Sequence, residues 1–489
     1  MGEALLLPRP EFNRSVVIEA RPERLTAESG AIALREAAHQ LGVFEWLDER
    51  LDDPRDQDFI THPLRELLMT YTSLLALGWR DQRDANTLRD DPAMRLAVST
   101  RRGVAPLLPP DPDADEPVPD GLASQSTLSR LVVGLSPADN RAALRESLCV
   151  AAGRRIRAMN RGHRHASVTV DVDSLPVEVH GHQEGSAYHG YYRQTMYHPL
   201  VAVIGETGDI VDVQLRPGNS HSATGALDFL LPLLDRVERE IGVVASVRID
   251  AGFPGEELLR GLEERRLPVG YVARLKNNAV LDRMAEPHLQ VPLCAADEEP
   301  EMWLHEMTYQ AGSWSRARRV VLIVLQRPGE LFPRHFWLLS NWSAEQVSGH
   351  ELLDLYRRRG KAEGHFGELM STLQPALSST RRPKSHYRGE VPAKRTASRD
   401  PFAANEVLLL LNALAYQLMH AIRGLVERAT RRGWSLQRIR ERVLRVPARV
   451  LIHARRATLV IGQASAALWQ RVWEQIPRLA IGVPLPGVT

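Results

Sequence analysis

The stretch "ASVTVDVDSLPVEVHG", residues 166–181, decides the fold of this chain. Its first half alternates in polarity and is rich in β-branched side chains, which predicts a strand. Because side chains alternate between the faces of a strand, Thr169, Asp171 and Asp173 are predicted to share one face. Acids on a rigid strand can hold a ligand, although acids on strands more often face water.

The segments that follow this strand predict a mixed α/β unit. "MYHPLVAVIGETGDIVDVQLRPGN" predicts two more strands around a turn at 206–209. An amphipathic helix, the short strand "VASVRIDAGF", a second helix and the strand "PVGYVARLK" come next. The order of three strands, helix, strand, helix, strand predicts a mixed sheet with helices packed on it. Three further predicted strands lie within 300–342.

Helical regions flank this predicted sheet. Residues 30–100 and the stretch after 121 have apolar residues at helical spacing, while 103–121 is rich in proline and acid and predicts an exposed linker. "LASQSTLSRL" begins a helix with Ser124 or Ser126 as N-cap, either a plain capped helix or the start of a DNA-recognition helix. A basic stretch at 378–400 predicts a loop, and the remainder is predicted to be helical.

The composition is that of a soluble globular protein. The chain has 489 residues, 44% of them apolar and 25% charged, which suggests more than one domain. Cys149 and Cys294 provide neither a disulfide framework nor zinc-ligand spacing. No run reaches the roughly 18 apolar residues of a membrane helix, and the N-terminus lacks a signal-peptide pattern. These features predict a cytoplasmic protein with no membrane association.

The charge is unevenly distributed along the chain. Residues 381–456 contain 18 Lys and Arg against 5 Asp and Glu, a balance of +13, so the rest carries −11 of the total of +2. A basic tract in a near-neutral chain favours an anionic polymer as partner. The alternative is an arginine-rich helical face that is simply solvated.

Two further acids lie where they could join those of the first strand. Asp250 ends a short buried strand, and Glu363 lies in "YRRRGKAEGHFGEL", residues 356–369. In a helix, the spacing i, i+3, i+7 puts Tyr356, Arg359 and Glu363 on one face. Glu363 could bind a divalent cation beside bases that hold phosphates, or it could form an ordinary intrahelical salt bridge with Arg359.

An ordered set of motifs resembles the DDE transposases of bacterial insertion sequences, in the branch of the DDE group 1 transposase domain. The motifs that carry the resemblance are "RDQRDANTLRDDPAMRLA" (80–97), "LASQSTLSRL" (122–131), "DVDSLPVEVHGHQEG" (171–185), "GYYRQTMYHPL" (190–200), "RPGNSHSATGALDFL" (216–230), "RIDAGF" (248–253), "YRRRGKAEGHFGEL" (356–369) and "RVPARVLIHARR" (445–456). This resemblance implies an RNase H-like catalytic fold with a β-rich insertion. It also implies an acid triad, placed on Asp171, Asp250 and Glu363, with Asp173 as the alternative first acid.

The resemblance further implies cleavage of DNA at transposon ends and strand transfer into target DNA, with two Mg²⁺ or Mn²⁺ ions held by the triad. The implied partners are double-stranded DNA, at terminal inverted repeats and target, and further copies of the chain in a dimer or larger assembly. Tyr356, Arg359 and Glu363 match a sister branch with a Tyr-Arg-Glu-Lys signature, whose lysine falls on Met370 here. The residues expected to contact DNA are Tyr356, Arg359, Arg381, Arg382, Lys384, Lys394 and Arg395.

Four histidines lie near the first acids, namely His180, His182, His189 and His198, and their spacing is not that of zinc ligands. His180 and Gln183 are expected to shape the site.

The predicted layout is a helical DNA-binding or assembly region at 1–102, a linker at 103–121, a helical segment at 122–164, the core at 165–275 and 346–420 with the basic loop 378–400, the β-rich insertion at 276–345, and a basic helical region at 421–489. The alternative functions are an inactive or domesticated DNA-binding protein derived from a transposase, and an RNase H-like nuclease.

Overall fold

A computed structural model describes residues 5–6, 9–109, 119–179, 181, 183–267, 269–292, 294, 299–379 and 400–480. Its centre is an eight-stranded mixed sheet. In chain order the strands of this sheet are β1 His165–Ser174, β2 Leu200–Ile204, β3 Ile210–Gln214, β4 Gly242–Ile249, β5 Gly270–Leu275, β6 Glu301–Tyr309, β7 Arg318–Gln326 and β8 Arg334–Ser340.

Helices surround the sheet and form the regions on either side of it in the sequence. The described α-helices are α1 Ala31–Leu41, α2 Val43–Asp48, α3 Leu64–Leu77, α4 Asp84–Thr87, α5 Pro92–Val98, α6 Gln125–Gly134, α7 Ala138–Met159, α8 Ala226–Glu240, α9 Glu256–Glu263, α10 Ala279–Ala285, α11 Gly349–Arg357, α12 Arg359–Glu368, α13 Pro401–Thr430, α14 Leu436–Ile439 and α15 Gln463–Trp473. Shorter helical turns occupy Gln57–Phe59, Ala105–Leu107, Glu286–His288, Leu369–Leu373, Arg440–Leu444 and Ile476–Leu479.

The strand order across the sheet is β6-β7-β8-β5-β4-β1-β2-β3. Strand β1 is antiparallel to β2, and β2 is antiparallel to β3. Strand β4 lies parallel to β1, and β5 lies parallel to β4, with α8 and α9 in the connections that lead into them. The half-sheet β3-β2-β1-β4-β5 has the arrangement of an RNase H-like core, so the predicted fold class is confirmed.

The three strands predicted within 300–342 are present as β6, β7 and β8. They form an antiparallel meander, and β8 pairs with the edge of the core at β5. The β-rich stretch therefore extends the core sheet itself.

The two faces of the sheet are covered by different helices. Val168, Val170 and Val172 on β1 share one buried cluster with apolar residues of α8 and α9. Because side chains alternate along β1, Thr169, Asp171 and Asp173 lie on the opposite face, as predicted. That face carries a second cluster, which includes residues of β2, β3, α12, α13 and the N-terminal helices.

Helix α13 passes through the middle of this second cluster. Asp400 caps its first turn by accepting a hydrogen bond from the Ala403 N–H at 3.0 Å, and Pro401 occupies the first helical position, which needs no N–H. By length and composition α13 could cross a membrane, but 94% of its most apolar window is buried inside the protein. Its apolar character is that of a core helix.

The C-terminal region is not wholly helical, which corrects the prediction for 421–489. Ala448–His453 and Arg456–Ile461 form an antiparallel hairpin, and the first of these strands also pairs with Leu25–Thr26 near the N-terminus. The hairpin turns at Ala454 and Arg455, both with positive φ.

The predicted linker is packed at its start. Val104, Pro106 and Leu107 are buried, so this part is not exposed as its proline content suggested. The apolar side chains at the start of the stretch are buried in the protein, although the stretch as a whole is rich in acidic residues. Residues 110–118 lie outside the described part of the chain.

A small sheet stands next to the end of β1. Gln194–Tyr197 pairs with Val177–Glu178 on one side and with Ala187–His189 on the other. Gly218 lies against this sheet so closely that an added Cβ would be 1.9 Å from the Met196 carbonyl oxygen. The segment "RPGN" therefore requires glycine at this position, and it packs the small sheet onto the core.

Candidate active site

Strand register brings two acids side by side at one edge of the sheet. In the parallel pair β1–β4, Asp171 lies beside Arg248. Asp173 and Asp250 each lie two residues beyond this pair, and the charge of Asp250 acts on Asp173. The carboxyl ends of parallel neighbours meet at the same edge, so this proximity follows from the pairing.

Helix α12 brings the third acid to the same place. Its predecessor α11 begins with a capping box, in which the Ser348 side chain bonds the Glu351 N–H and the Glu351 carboxylate bonds the Ser348 N–H. A turn at Arg358 separates α11 from α12. Despite this break, Tyr356, Arg359 and Glu363 line one pocket, as their predicted common face requires.

Arg359 joins two of the acids directly. Its guanidinium donates to the Asp173 Oδ2 at 2.5 Å and to the Glu363 Oε1 at 2.6 Å. The intrahelical salt bridge considered as an alternative for Glu363 is therefore present, but the same arginine also holds the acid on β1. Arg359 is only 6% exposed, whereas the Glu363 side chain is 61% exposed.

Two of the acids border an open pocket of about 430 Å³ that basic residues also line. Asp250 and Glu363 line it together with Arg274 and Lys276, which are exposed on either side of the buried Leu275 at the end of β5. Neither basic residue was predicted from the sequence to belong to the site. The sequence did contain a basis for that prediction, because β5 was predicted to follow the strand of Asp250 in the sheet and its predicted sequence ends in "ARLK".

Asp171 does not reach this pocket. It is fully buried, and both its carboxylate oxygens accept hydrogen bonds from Arg248, the first at 2.6 Å. Arg248 also donates to the Leu355 carbonyl oxygen of α11 at 2.9 Å. Burial raises the pKa of Asp171 to about 6, although the Arg248 hydrogen bond acts in the opposite direction. Asp173 does not line the pocket either, but it bonds Arg359, which does, so the geometry favours Asp173 over Asp171 as the acid of β1 that belongs to the site.

The electrostatics of the cluster centre on Arg359. Burial disfavours its charge, but Asp173, Asp250 and Glu363 all attract it, and its pKa is raised. Burial raises the pKa of Asp173, and the negative charge of Asp250 adds to this, while Arg359 opposes it. The Arg359 Nε–H is buried and has no acceptor among the described residues. A buried donor without a partner costs free energy, so this N–H is available for an incoming oxygen.

The three acids fit a divalent cation by chemistry, since Mg²⁺ and Mn²⁺ favour carboxylate oxygens. Within the described residues, no three His, Cys, Asp or Glu side chains are arranged closely enough to hold a metal ion. The positive charge that lies among Asp173, Asp250 and Glu363 here belongs to Arg359. The donor set suits a cation, and the ion pairs of Arg359 are the contacts that binding would rearrange.

Most of the basic residues predicted to contact DNA lie outside the described residues, namely Arg381, Arg382, Lys384, Lys394 and Arg395. His180 and His182 also lie outside them. Gln183 is half-buried, and its Oε1 has no donor within the described part of the chain. Met370, at the position of the expected lysine, packs against the large apolar cluster.

A buried polar network fixes α12 against α13 and the β2–β3 turn. Glu368 accepts a hydrogen bond from Arg423, and His365 lies within hydrogen-bond distance of the Tyr416 hydroxyl at 3.2 Å. Arg423 also donates to the His420 Nδ1 at 2.6 Å, and the His420 Nε2 bonds the Thr207 carbonyl oxygen at 2.9 Å. The helix that carries Glu363 is thus held by hydrogen bonds as well as by apolar packing.

This network predicts a loss of stability in mild acid. Burial, with Arg155, Arg423 and His365 nearby, lowers the pKa of His420 well below 6.5, while Asp209 lies 3.9 Å away. Below pH 6.5, His420 therefore binds a proton in the unfolded chain but stays neutral in the folded chain, and the free energy of unfolding decreases as the pH falls. One such histidine costs up to about 1.4 kcal/mol per pH unit.

Urea unfolding at pH 7, 6 and 5 measures this cost. The matched variant His420→Gln keeps an N–H for the Thr207 carbonyl but cannot titrate, so its stability should fall less steeply than that of the wild type. Equal slopes for the two proteins would show that His420 does not carry the effect.

The fold and the site together define an RNase H-like protein that gathers acids at the ends of its central strands and on a following helix. The sequence model of the family described as transposase DDE domain group 1 matches residues 8–481. The chain belongs to this family of transposases, and the resemblance found in its motifs is confirmed.

Among the solved structures to which the chain is similar is a cryo-EM structure of piggyBac transposase in a synaptic complex with hairpin DNA. The similarity covers 92% of this chain and 82% of that chain, at 11% sequence identity and a TM-score of 0.38. No protein in the curated set matches the chain significantly.

Proposed function

We propose that this transposase cleaves DNA at the ends of its own mobile element and joins the freed strands to target DNA, with Asp173, Asp250 and Glu363 as its catalytic acids. The observation that carries the proposal is the set of acids around Arg359: Asp173 and Glu363 both accept hydrogen bonds from it, and the charge of Asp250, which lines the same pocket as Arg359 and Glu363, also acts on it. Asp173 replaces Asp171 of the sequence-based triad, because Asp171 is enclosed with Arg248.

The three acids would hold Mg²⁺ or Mn²⁺, as a pair of ions. Such ions supply activation of an attacking oxygen and neutralisation of the leaving oxygen in phosphoryl transfer. The chain contributes a preorganised positive wall, since Arg359 offers an unused buried N–H and Arg274 and Lys276 line the same pocket. These donors suit the non-bridging oxygens of a phosphodiester. Tyr356, half-buried on the same face, would orient the strand beside them.

The proposed partner is double-stranded DNA, as terminal inverted repeats and target. Its grip would come from the basic tract 381–456 and from the N-terminal helices, mainly through phosphates. Because the two ends of an element must be held together for joining, we propose that the chain acts on DNA as a dimer or larger assembly. We also propose a cytoplasmic location in a bacterium, at the nucleoid when DNA is bound.

Incubation of the purified protein with DNA that carries both ends of its element, with and without Mg²⁺, tests the proposal. The expected result is nicking or double-strand cleavage at the ends, followed by joined products, only when the ion is present. Asp250→Asn serves as the matched inactive variant. Cleavage without joining would favour an RNase H-like nuclease, and DNA binding without cleavage by the wild type would favour a domesticated, inactive protein.

A further inference from the structure

An aromatic hairpin stands beside the acids, and the proposed chemistry does not use it. The strands Ala187–His189 and Gln194–Tyr197 are joined by residues 190–193. The side chains of Tyr191 and Tyr192 are exposed, Tyr191 by 84% and Tyr192 by 38%. Arg193, also exposed, completes the tip with a positive φ of 55°.

The rings at this tip form a continuous, preorganised cluster. Tyr191 meets Tyr192 edge to face, with centroids 5.0 Å apart and planes at 88°. Tyr192 in turn contacts the rings of His189 at 5.1 Å and His198 at 5.9 Å. His198 is buried, and its Nδ1 bonds the Ser220 carbonyl oxygen at 2.8 Å. The buried histidine therefore supports Tyr192, and Tyr192 supports the outermost ring, Tyr191.

The hairpin is attached rigidly to the elements that carry the acids. Its second strand pairs with Val177–Glu178, which follows Asp173 by a few residues along the same chain segment. At its base, the Tyr197 hydroxyl accepts from Asn405 of α13 at 3.1 Å and donates to the Glu184 carbonyl at 2.6 Å. Burial is the largest cause of the raised pKa of Tyr192, and the nearby negative charges of Asp173 and Asp250 raise it further.

We propose that this hairpin is a base-stacking site, with Tyr191 as the ring on which an unpaired nucleobase lies when its strand occupies the acid pocket. The inference rests on the proposed function, since it needs DNA at the acids. An exposed ring held by other rings offers a π-face at little entropic cost, and any nucleobase can stack on it. Arg193 beside it would meet the phosphate of the same nucleotide.

Fluorescence of 2-aminopurine tests this site on the full chain without divalent ions, so that no cleavage occurs. One probe is a duplex with an unpaired 2-aminopurine at its end, and the other is the same duplex fully paired. Wild-type protein is expected to change the emission of the unpaired base and to bind that probe more tightly. Tyr191→Ala should weaken binding of the unpaired probe by about 5- to 100-fold, as expected for one lost stacking contact, while Tyr191→Phe keeps it.

A matched control is Phe332→Ala, which removes an aromatic ring that is 80% exposed in the turn between β7 and β8. It should bind both probes like the wild type. Equal binding of the unpaired probe by Tyr191→Ala and wild type, or an equal loss for both probes, would overturn the stacking site. A change in oligomeric state on Tyr191→Ala would overturn it in favour of a contact between copies. If the wild type binds neither probe, that result contradicts the proposed function itself and is distinguishable from failure of the stacking site alone.

Discussion

An Asp173→Asn variant is expected to lose DNA cleavage by about a thousandfold or more while it keeps its fold. Asp173 lies close enough to Asp250 for their charges to interact, and it shares Arg359 with Glu363. Losing a carboxylate from a cation site forfeits several kcal/mol of transition-state stabilisation, and each 1.36 kcal/mol is a factor of ten in rate. The asparagine is nearly isosteric and can still accept a hydrogen bond from Arg359, so packing is preserved.

The measurement is the initial rate of end cleavage in saturating Mg²⁺, together with the midpoint of thermal unfolding. Glu257→Gln, which changes an exposed acid on α9, is the matched control and should cleave like the wild type. Binding of uncleaved ends, measured separately, should be retained by Asp173→Asn. If Asp173→Asn cleaves at the wild-type rate, the first catalytic acid is not Asp173, and the choice returns to Asp171.

The sequence was a good guide to the order of elements and a poor guide to the choice between neighbouring acids. Periodicity of two predicted β1 and the common face of Asp171 and Asp173, which the structure bears out. It could not separate the two acids, because both share that face. Asp171 differs from Asp173 because the parallel register places Arg248 beside Asp171. The register between two strands that are far apart in the sequence cannot be predicted from either strand alone.

The C-terminal hairpin was missed for a different physical reason. "ARVLIH" and "RATLVI" do alternate in exposure along much of their length and contain β-branched side chains, but each is only six residues long and lies in a region that otherwise has helical spacing. The turn between them, Ala454 and Arg455, contains none of the glycine, asparagine or aspartate that normally marks a two-residue hairpin. Tertiary pairing with Leu25–Thr26 stabilises the strand in place of local preference.

Asp171 is expected to matter for stability rather than for chemistry, and a double-mutant cycle with Arg248 separates the two roles. The Arg248 side chain is 3% exposed and cannot lose its proton, so Asp171→Asn leaves a buried positive charge without a counter-ion. Removal of one partner of such a pair costs about 3–5 kcal/mol. The variant should unfold at clearly lower urea concentration than Asp173→Asn.

Replacing both partners, as Asp171→Leu with Arg248→Met, removes the buried charges together, and exchanging a buried ion pair for apolar side chains is often close to neutral. The double variant should therefore be more stable than the sum of the single changes Asp171→Leu and Arg248→Met predicts, with a coupling energy of about 0.5–3 kcal/mol. Its residual deficit reports the lost bond from Arg248 to the Leu355 carbonyl, which ties β4 to α11 ahead of the helix that carries Glu363. The opposite outcome is an additive cycle together with an Asp171→Asn variant that is as stable as the wild type but unable to cleave DNA. That outcome would make Asp171 a catalytic acid, and the active site would then lie two residues earlier along β1 than Asp173.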